Sequence, residues 1–200
     1  MTPQPLLPRQ PGDFKPITTI YNHITIASPP IAVVTPLIDT TAWPSWNTFN
    51  PSAKIFHRPE PEASHPLASL FASAECLAPG VKFTEFHSEE ARKMVKSINE
   101  NENIEIIAVD EIKTDDGKKG YRVVWRALDW NGLLMKTRRI QEFVENESGG
   151  TEYDSWTELG GLFSYPLKWS SIDKKIAVLF DGAFKSLKEF VEGGGTVAAK

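Results

Sequence analysis

One stretch of this chain sustains a helical apolar period over several turns, and it lies near the C-terminal end. Ile172, Ile176, Leu179, Phe180, Ala183, Phe184, Leu187, Phe190 and Val191 recur at intervals of three and four, which gathers them on one face of a helix over residues 170–192. A helix with such a stripe has to bury it against another layer. The preceding segments supply that layer, because they alternate with period two. Residues 17–26 set Ile20, Ile24 and Ile26 against Tyr21, His23 and Thr25. Further strands are read at 54–57, 81–86, 104–112, 121–126, 134–144 and 151–158. Turn signals at Asp115-Asp116-Gly117, at 129–132 and at 146–150 fold the later ones into antiparallel hairpins. The pattern predicts an α+β fold: a curved antiparallel sheet around a long C-terminal helix, with an internal cavity where their curvatures differ.

Other segments are less periodic. Ser28, with Pro29 and Pro30 behind it, stands where a helix N-cap belongs, and Ile31, Val34, Leu37 and Ile38 give a short helix closing near Asp39. Residues 59–75 carry no readable pattern, and the charged run 89–98 has helical composition and reads as a surface insertion between strands. Prolines at 3, 5, 8, 11 and 16 make residues 1–15 an extended, disordered arm with no signal-peptide core, and residues 193–200 a flexible tail, leaving one domain over 16–192. No window approaches the ~18 apolar residues of a membrane span, so no stable membrane insertion is expected. A formal net charge of −4 gives no general attraction for phosphate backbones, so no nucleic-acid partner is expected. The single cysteine, Cys76, excludes an internal disulfide and points to a reducing, cytoplasmic setting.

The segment 41–51 places Trp43, Trp46 and Phe49 among Pro44, Asn47, Asn50 and Pro51, too broken for a regular helix. With the strand before it, Ile24-Thr25-Ile26-Ala27-Ser28-Pro29-Pro30, and with Asp39, this segment resembles the opening of the START-like superfamily, also called polyketide cyclase-like, SRPBCC or Bet v 1-like. Gly149-Gly150-Thr151, Glu158 and Gly161 are similar to its penultimate hairpin and strand exit, and the terminal helix fits, so the resemblance spans 16–192. The run 89–98 departs from the common pattern. The resemblance implies a helix-grip fold with a deep, mostly apolar cavity. It implies ligands such as lipids, quinones, polyketides or plant-hormone-like molecules, and for some members cofactor-free cyclase or related activity. Trp46 and Phe49 are expected to pack under the short helix, and Trp43 to reach the cavity rim.

The chemistry-bearing residues narrow this further. His23, His57, His65 and His87 are scattered without metal-ligand spacing, and no phosphate loop or G-x-S-x-G is present. No metal and no cofactor are therefore expected. In the 134–144 strand, Lys136, Arg138 and Glu142 share one parity, read as solvated and opposite the acidic Glu152, Asp154 and Glu158. Arg139 falls on the other parity with Met135, Thr137, Gln141 and Phe143. A face mixing these residues suits a cavity wall with polar groups that orient a ligand, although a salt-bridged or solvent-facing Arg139 remains open. Trp125 points inward with Tyr121 and Val123, and Tyr153, Ser155 and Thr157 do so if the acidic set faces out, which leaves Trp156 outside.

The candidate ligand-binding set is thus Trp43, Phe83, Trp125, Met135, Gln141, Tyr153, Phe163, Tyr165, Trp169, Phe180 and Phe184, with plain core packing the alternative for each aromatic. Arg139, Glu85 and Tyr153 are the candidate acid–base and orienting groups, with Glu85 able to face either way. The expected function is binding of a hydrophobic, aromatic or polycyclic small molecule, of polyketide, terpenoid or lipid-like kind, by a monomer or homodimer. Two extensions stay open: cofactor-independent cyclisation or isomerisation of that ligand in secondary metabolism, or service as a non-catalytic lipid or quinone carrier.

Overall fold

Seven strands form one antiparallel sheet in the order β1-β7-β6-β5-β4-β3-β2. They are β1 (Thr18–Ile26), β2 (Ser52–His57), β3 (Lys82–Phe86), β4 (Asn101–Lys113), β5 (Lys119–Ala127), β6 (Lys136–Glu145) and β7 (Thr151–Gly160). The sheet curves around the helix α5 (Ile172–Glu192), whose buried residues Leu179, Phe180, Ala183, Phe184 and Leu187 are those of the predicted stripe. Shorter helices are α1 (Pro30–Ile38), α2 (Trp43–Trp46), α3 (Glu89–Met94) and α4 (Ser164–Trp169). This computed structural model describes residues 4–6, 14–60, 62–96, 98–129, 133–169 and 171–195, the side chains of 167–169 excepted. Residues 130–132 of the expected 129–132 turn, the tail beyond 195 and much of the 1–15 arm lie outside the described residues.

The aromatic turn has a backbone explanation. A helix leaves its last carbonyls without intrahelical partners, and α1 ends against the core, where water cannot reach them. The indole N–H of Trp43 donates to the Leu37 carbonyl at 2.9 Å, and that of Trp46 to the Pro36 carbonyl at 3.3 Å. The Ile38 carbonyl accepts from the Leu77 N–H at 2.7 Å. Two tryptophans therefore close the helix while filling the core beside it, at 1% and 5% exposure. Trp43→Phe keeps most of the packing but strands the Leu37 carbonyl, which costs about 1–2 kcal/mol. Urea unfolding should show that loss, and an unchanged midpoint would mean the indole bond contributes nothing.

Two further local expectations change. Ser28 does not cap α1: Pro29 holds the N-cap position, Pro30 begins the helix, and the Ser28 carbonyl accepts the Thr151 hydroxyl at 2.6 Å. The unreadable 59–75 segment is a run of tight turns, with backbone bonds such as Ala68 N–H to the His65 carbonyl at 2.9 Å, that is also held from outside itself. The Arg58 guanidinium donates to the carbonyls of Phe71 at 2.6 Å, Cys76 at 2.5 Å and Ala74 at 3.2 Å. Cys76 is buried, and desolvation, with Asp39 adding, pushes its thiol up to about 12, so it is no nucleophile at neutral pH.

The outer face of the sheet is less solvated than its charges suggest. Tyr21, Trp156, Ile140, Val124 and Ala108 stand opposite one another in register across β1, β7, β6, β5 and β4, and they form a small apolar cluster. That cluster accommodates Trp156 on the outside at 3% exposure. Beside it Arg138 pairs with Glu158 at 2.8 Å, and Arg122 stands 3.7 Å from Glu142. Both glutamates are buried rather than solvated, because N-terminal residues lie over them. The Leu6 N–H donates to both Glu142 oxygens at 3.0 and 3.2 Å, and the Phe14 ring centroid lies 6.0 Å from the Arg138 guanidinium carbon.

Candidate functional site

A cavity of about 390 Å³ opens between the inner face of the sheet and the first half of α5, within the size range of small-molecule sites. Its apolar wall includes Phe49, Ile104, Trp125, Met135, Leu159, Phe163, Ile172, Ile176 and Phe180. One end closes against the segment following β3. Ser88 caps α3 by accepting the Ala91 N–H at 3.2 Å, and Ala91 and Val95 are buried. The charged run is thus amphipathic, not a surface insertion alone, and Val95, Ile98 and Asn99 line the cavity.

Polar side chains gather on the β3–β4 and β6–β7 walls: Asn50, Glu85, His87, Glu102, Thr137, Arg139 and Thr157. Strand parity brings Arg139 inward. It stands opposite Trp125 on β5 and Thr157 on β7. Its Nε donates to Ser155 Oγ at 3.0 Å, and its guanidinium lies 3.9 Å from the Phe180 ring centroid, with Trp125 at 5.7 Å and Phe184 at 5.8 Å. Such cation–π contacts gain strength away from water. Burial lowers the Arg139 pKa, with Tyr153 and Glu85 beside it opposing, but a guanidinium keeps its proton at any ordinary pH.

Glu85 faces the same space at 6% exposure. Desolvation first and Glu102 second raise its pKa, and Arg139 and a hydrogen bond from the Asn50 side chain oppose them, leaving it at about 8. At neutral pH the carboxyl is thus mostly protonated. His87 follows two residues on, so it shares the inward parity, and Glu102 is the residue opposite Glu85 on β4. His87 Nδ1 lies 2.9 Å from the Asn99 carbonyl, and its Nε2 lies 3.7 Å from Glu85 Oε1. Because a carbonyl only accepts, Nδ1 carries the proton in the neutral ring and Nε2 turns its lone pair toward the cavity. Burial lowers the His87 pKa, with Arg92 adding and the Asn99 bond opposing, which favours that neutral form.

Of the residues singled out from sequence, Trp125, Met135, Phe163, Phe180, Arg139 and Glu85 line the cavity. Tyr153, Gln141 and Phe184 lie behind it. The Tyr153 ring is stacked between Phe143 at 4.3 Å and Phe184 at 4.0 Å, and its hydroxyl donates to Gln141 Oε1. Tyr153 therefore supports Arg139 from below rather than facing a ligand, and burial holds its pKa well above the ordinary tyrosine value. Gln141 is completely buried. Phe83 pairs edge-on with Trp43 at 5.9 Å within the main core. Trp43 accordingly does not reach the rim, because its indole is committed to the end of α1, and Phe49 takes the cavity position instead. Tyr165 is 49% exposed and off the wall, and the Trp169 side chain lies outside those described. Asn50, His87 and Glu102 were missed, and Thr157, read as inward-facing, was not placed in the candidate set. Extending the Phe83–Glu85 alternation by one step finds His87, whereas Glu102 needs the β3–β4 register.

A sheet curved around one long helix, with a cavity between them, defines the helix-grip class of folds. The chain has the START-like, Bet v 1-like fold of that class. A Helicobacter pylori hypothetical protein, jhp0584, aligns with TM-score 0.63 and 13% identity over 96% of this chain and 99% of its own. Thalictrum flavum norcoclaurine synthase aligns with TM-score 0.56 and 9% identity over 92% of this chain and 100% of its own. A Mycobacterium smegmatis START superfamily protein aligns with TM-score 0.55 and 11% identity over 88% and 97%. No protein-family model and no curated protein matches the sequence. Among the described residues no helix is long and apolar enough to cross a membrane.

Proposed function

We propose that the protein binds a hydrophobic, aromatic or polycyclic small molecule of polyketide, terpenoid or lipid-like kind, with its carbonyl or carboxylate end on Arg139. The observation that carries this is the half-buried Arg139, whose guanidinium lies against the Phe180, Trp125 and Phe184 rings on the wall of an otherwise largely apolar cavity. Ring faces above and below hold the apolar body, and charge-assisted hydrogen bonds fix its orientation. The Glu85 carboxyl, protonated at neutral pH, favours a second reading in which the bound ligand is cyclised or isomerised by proton transfer without a cofactor, in secondary metabolism. The norcoclaurine synthase neighbour was solved with a transition state analogue, which is compatible with chemistry in this fold but does not transfer its substrate. A lipid or quinone carrier needs Arg139 alone. In either case we place the protein in the cytoplasm, as a monomer or homodimer with no nucleic-acid partner.

A thermal-shift panel of polycyclic aromatic ketones, their carboxylates, quinones and fatty acids, run with a metal chelator present, tests binding. A ligand at a hundredfold excess over its Kd adds about 2.7 kcal/mol, or roughly 5–10 °C for a chain of this size. Shifts of that order for the aromatic carbonyl compounds support the reading, and no shift from any class counts against it. Conversion of the bound compound, followed by chromatography, separates enzyme from carrier.

A further inference from the structure

We propose that Glu85, His87 and Glu102 bind one divalent transition-metal ion, of the Zn²⁺ or Mn²⁺ kind, at the polar end of the cavity. One ligand atom from each lies within 4.8 Å of the other two, and His87 Nε2 is already 3.7 Å from Glu85 Oε1. In a tetrahedral site with bonds of about 2.0–2.2 Å, donor atoms stand about 3.4 Å apart, so closure needs only side-chain rotation. The tautomer is the one a ligand requires: the Nδ1 proton is engaged by the Asn99 carbonyl, and Nε2 presents a lone pair. Glu85 and Glu102 stand directly opposite on neighbouring strands, and a cation between them takes the place of the Glu85 proton and attracts both carboxylates. An independent observation points the same way. Asn50 is 5% exposed, lines the same end and hydrogen-bonds Glu85, yet its Oδ1 has no hydrogen-bond partner. A buried acceptor left over beside two carboxylates is a further oxygen for a cation. Oxygen and imidazole donors without thiolate suit Zn²⁺, Mn²⁺ or Fe²⁺ rather than Cu⁺. Arg139 opposes a cation here. Two carboxylates, one guanidinium and one divalent ion together leave a single positive charge. The metal-bound site therefore favours an anionic ligand head group, a consequence that rests on the binding reading above, whereas the metal site itself does not.

Visible absorption of Co²⁺ titrated into chelator-stripped, full-length protein tests the site without any organic ligand. We expect a d–d band that saturates at one equivalent and is displaced by Zn²⁺. Replacing one protein ligand, in His87→Gln or in Glu102→Gln, should weaken Co²⁺ binding by about tenfold or more. His23→Gln should leave it unchanged, although exposed His23 also touches two carboxylates, Asp154 at 3.1 Å and Glu152 at 3.3 Å. Circular dichroism establishes that each variant is folded, and the partly exposed Glu102 tolerates an isosteric amide. Absence of a saturating band in the wild type overturns the proposal with no variant needed. So does binding that survives both cavity substitutions, or that is lost in His23→Gln. Failure of the organic-ligand panel in the presence of chelator leaves this result untouched, so the two ideas fail separately.

Discussion

Arg139→Met is expected to weaken binding of whichever aromatic carbonyl compound the panel selects by about tenfold or more, the loss of one charge-assisted hydrogen bond. Methionine spans a similar length and suits the ring faces of Phe180 and Trp125. The fold survives at neutral pH because the nearest carboxyl, Glu85, already holds a proton and is not left as a bare charge. Arg138→Met, one residue away, does the opposite. Arg138 pairs with Glu158 on the outer face, where the two side chains are 13% and 2% exposed. Removing it takes away one buried ion pair and so destabilises the fold, while the folded fraction keeps near wild-type affinity. Calorimetric titration and denaturant unfolding of the two variants separate the effects. Equal affinity losses, or a larger one at Arg138, would remove Arg139 from the role of anchor.

That comparison shows which kinds of information the sequence carried. The strand alternation and the α5 stripe are local periodicities, so the sheet, the long helix and the shared parity of Arg139 with Met135 and Gln141 were readable from residue spacing, whereas the side that parity faces was not. The aromatic turn has no period. Whether Trp43 or Phe49 meets the cavity depends on which indole reaches the end of α1, a contact between elements. Glu102 joins Glu85 and His87 only through the β3–β4 register, and no spacing in the chain encodes it. The outer-face acids were read as solvated because alternation reports which side a residue takes, not what later covers that side. Here Leu6 and Phe14, far away in sequence, lie on it. The segment 59–75 was unreadable for a related reason: it is a run of successive tight turns without a repeating period, held at its end by Arg58 through the carbonyls of Phe71 and Ala74.

Glu85→Gln is expected to make the protein more stable at high pH and to change little at low pH. The sign follows from the folded pKa of about 8 against an unfolded carboxyl near 4.3. Between these values the folded state holds one proton more than the unfolded chain, so raising the pH favours unfolding. The penalty is absent below about pH 4, grows through the window and is complete above about pH 8. At about 1.4 kcal/mol per unit of displacement it amounts to several kcal/mol as an upper bound, reduced by whatever water enters the open cavity. Glutamine keeps the shape and the contact with Asn50 but has no charge to desolvate. The wild-type-minus-variant difference in unfolding free energy, measured in chelator at pH 5, 7 and 8.5, should therefore widen steadily in favour of glutamine. Taking the difference cancels every other titrating group to first order. A flat difference across that range would mean that Glu85 ionises freely in the folded protein, and the proton-transfer reading of the cavity would lose its acid.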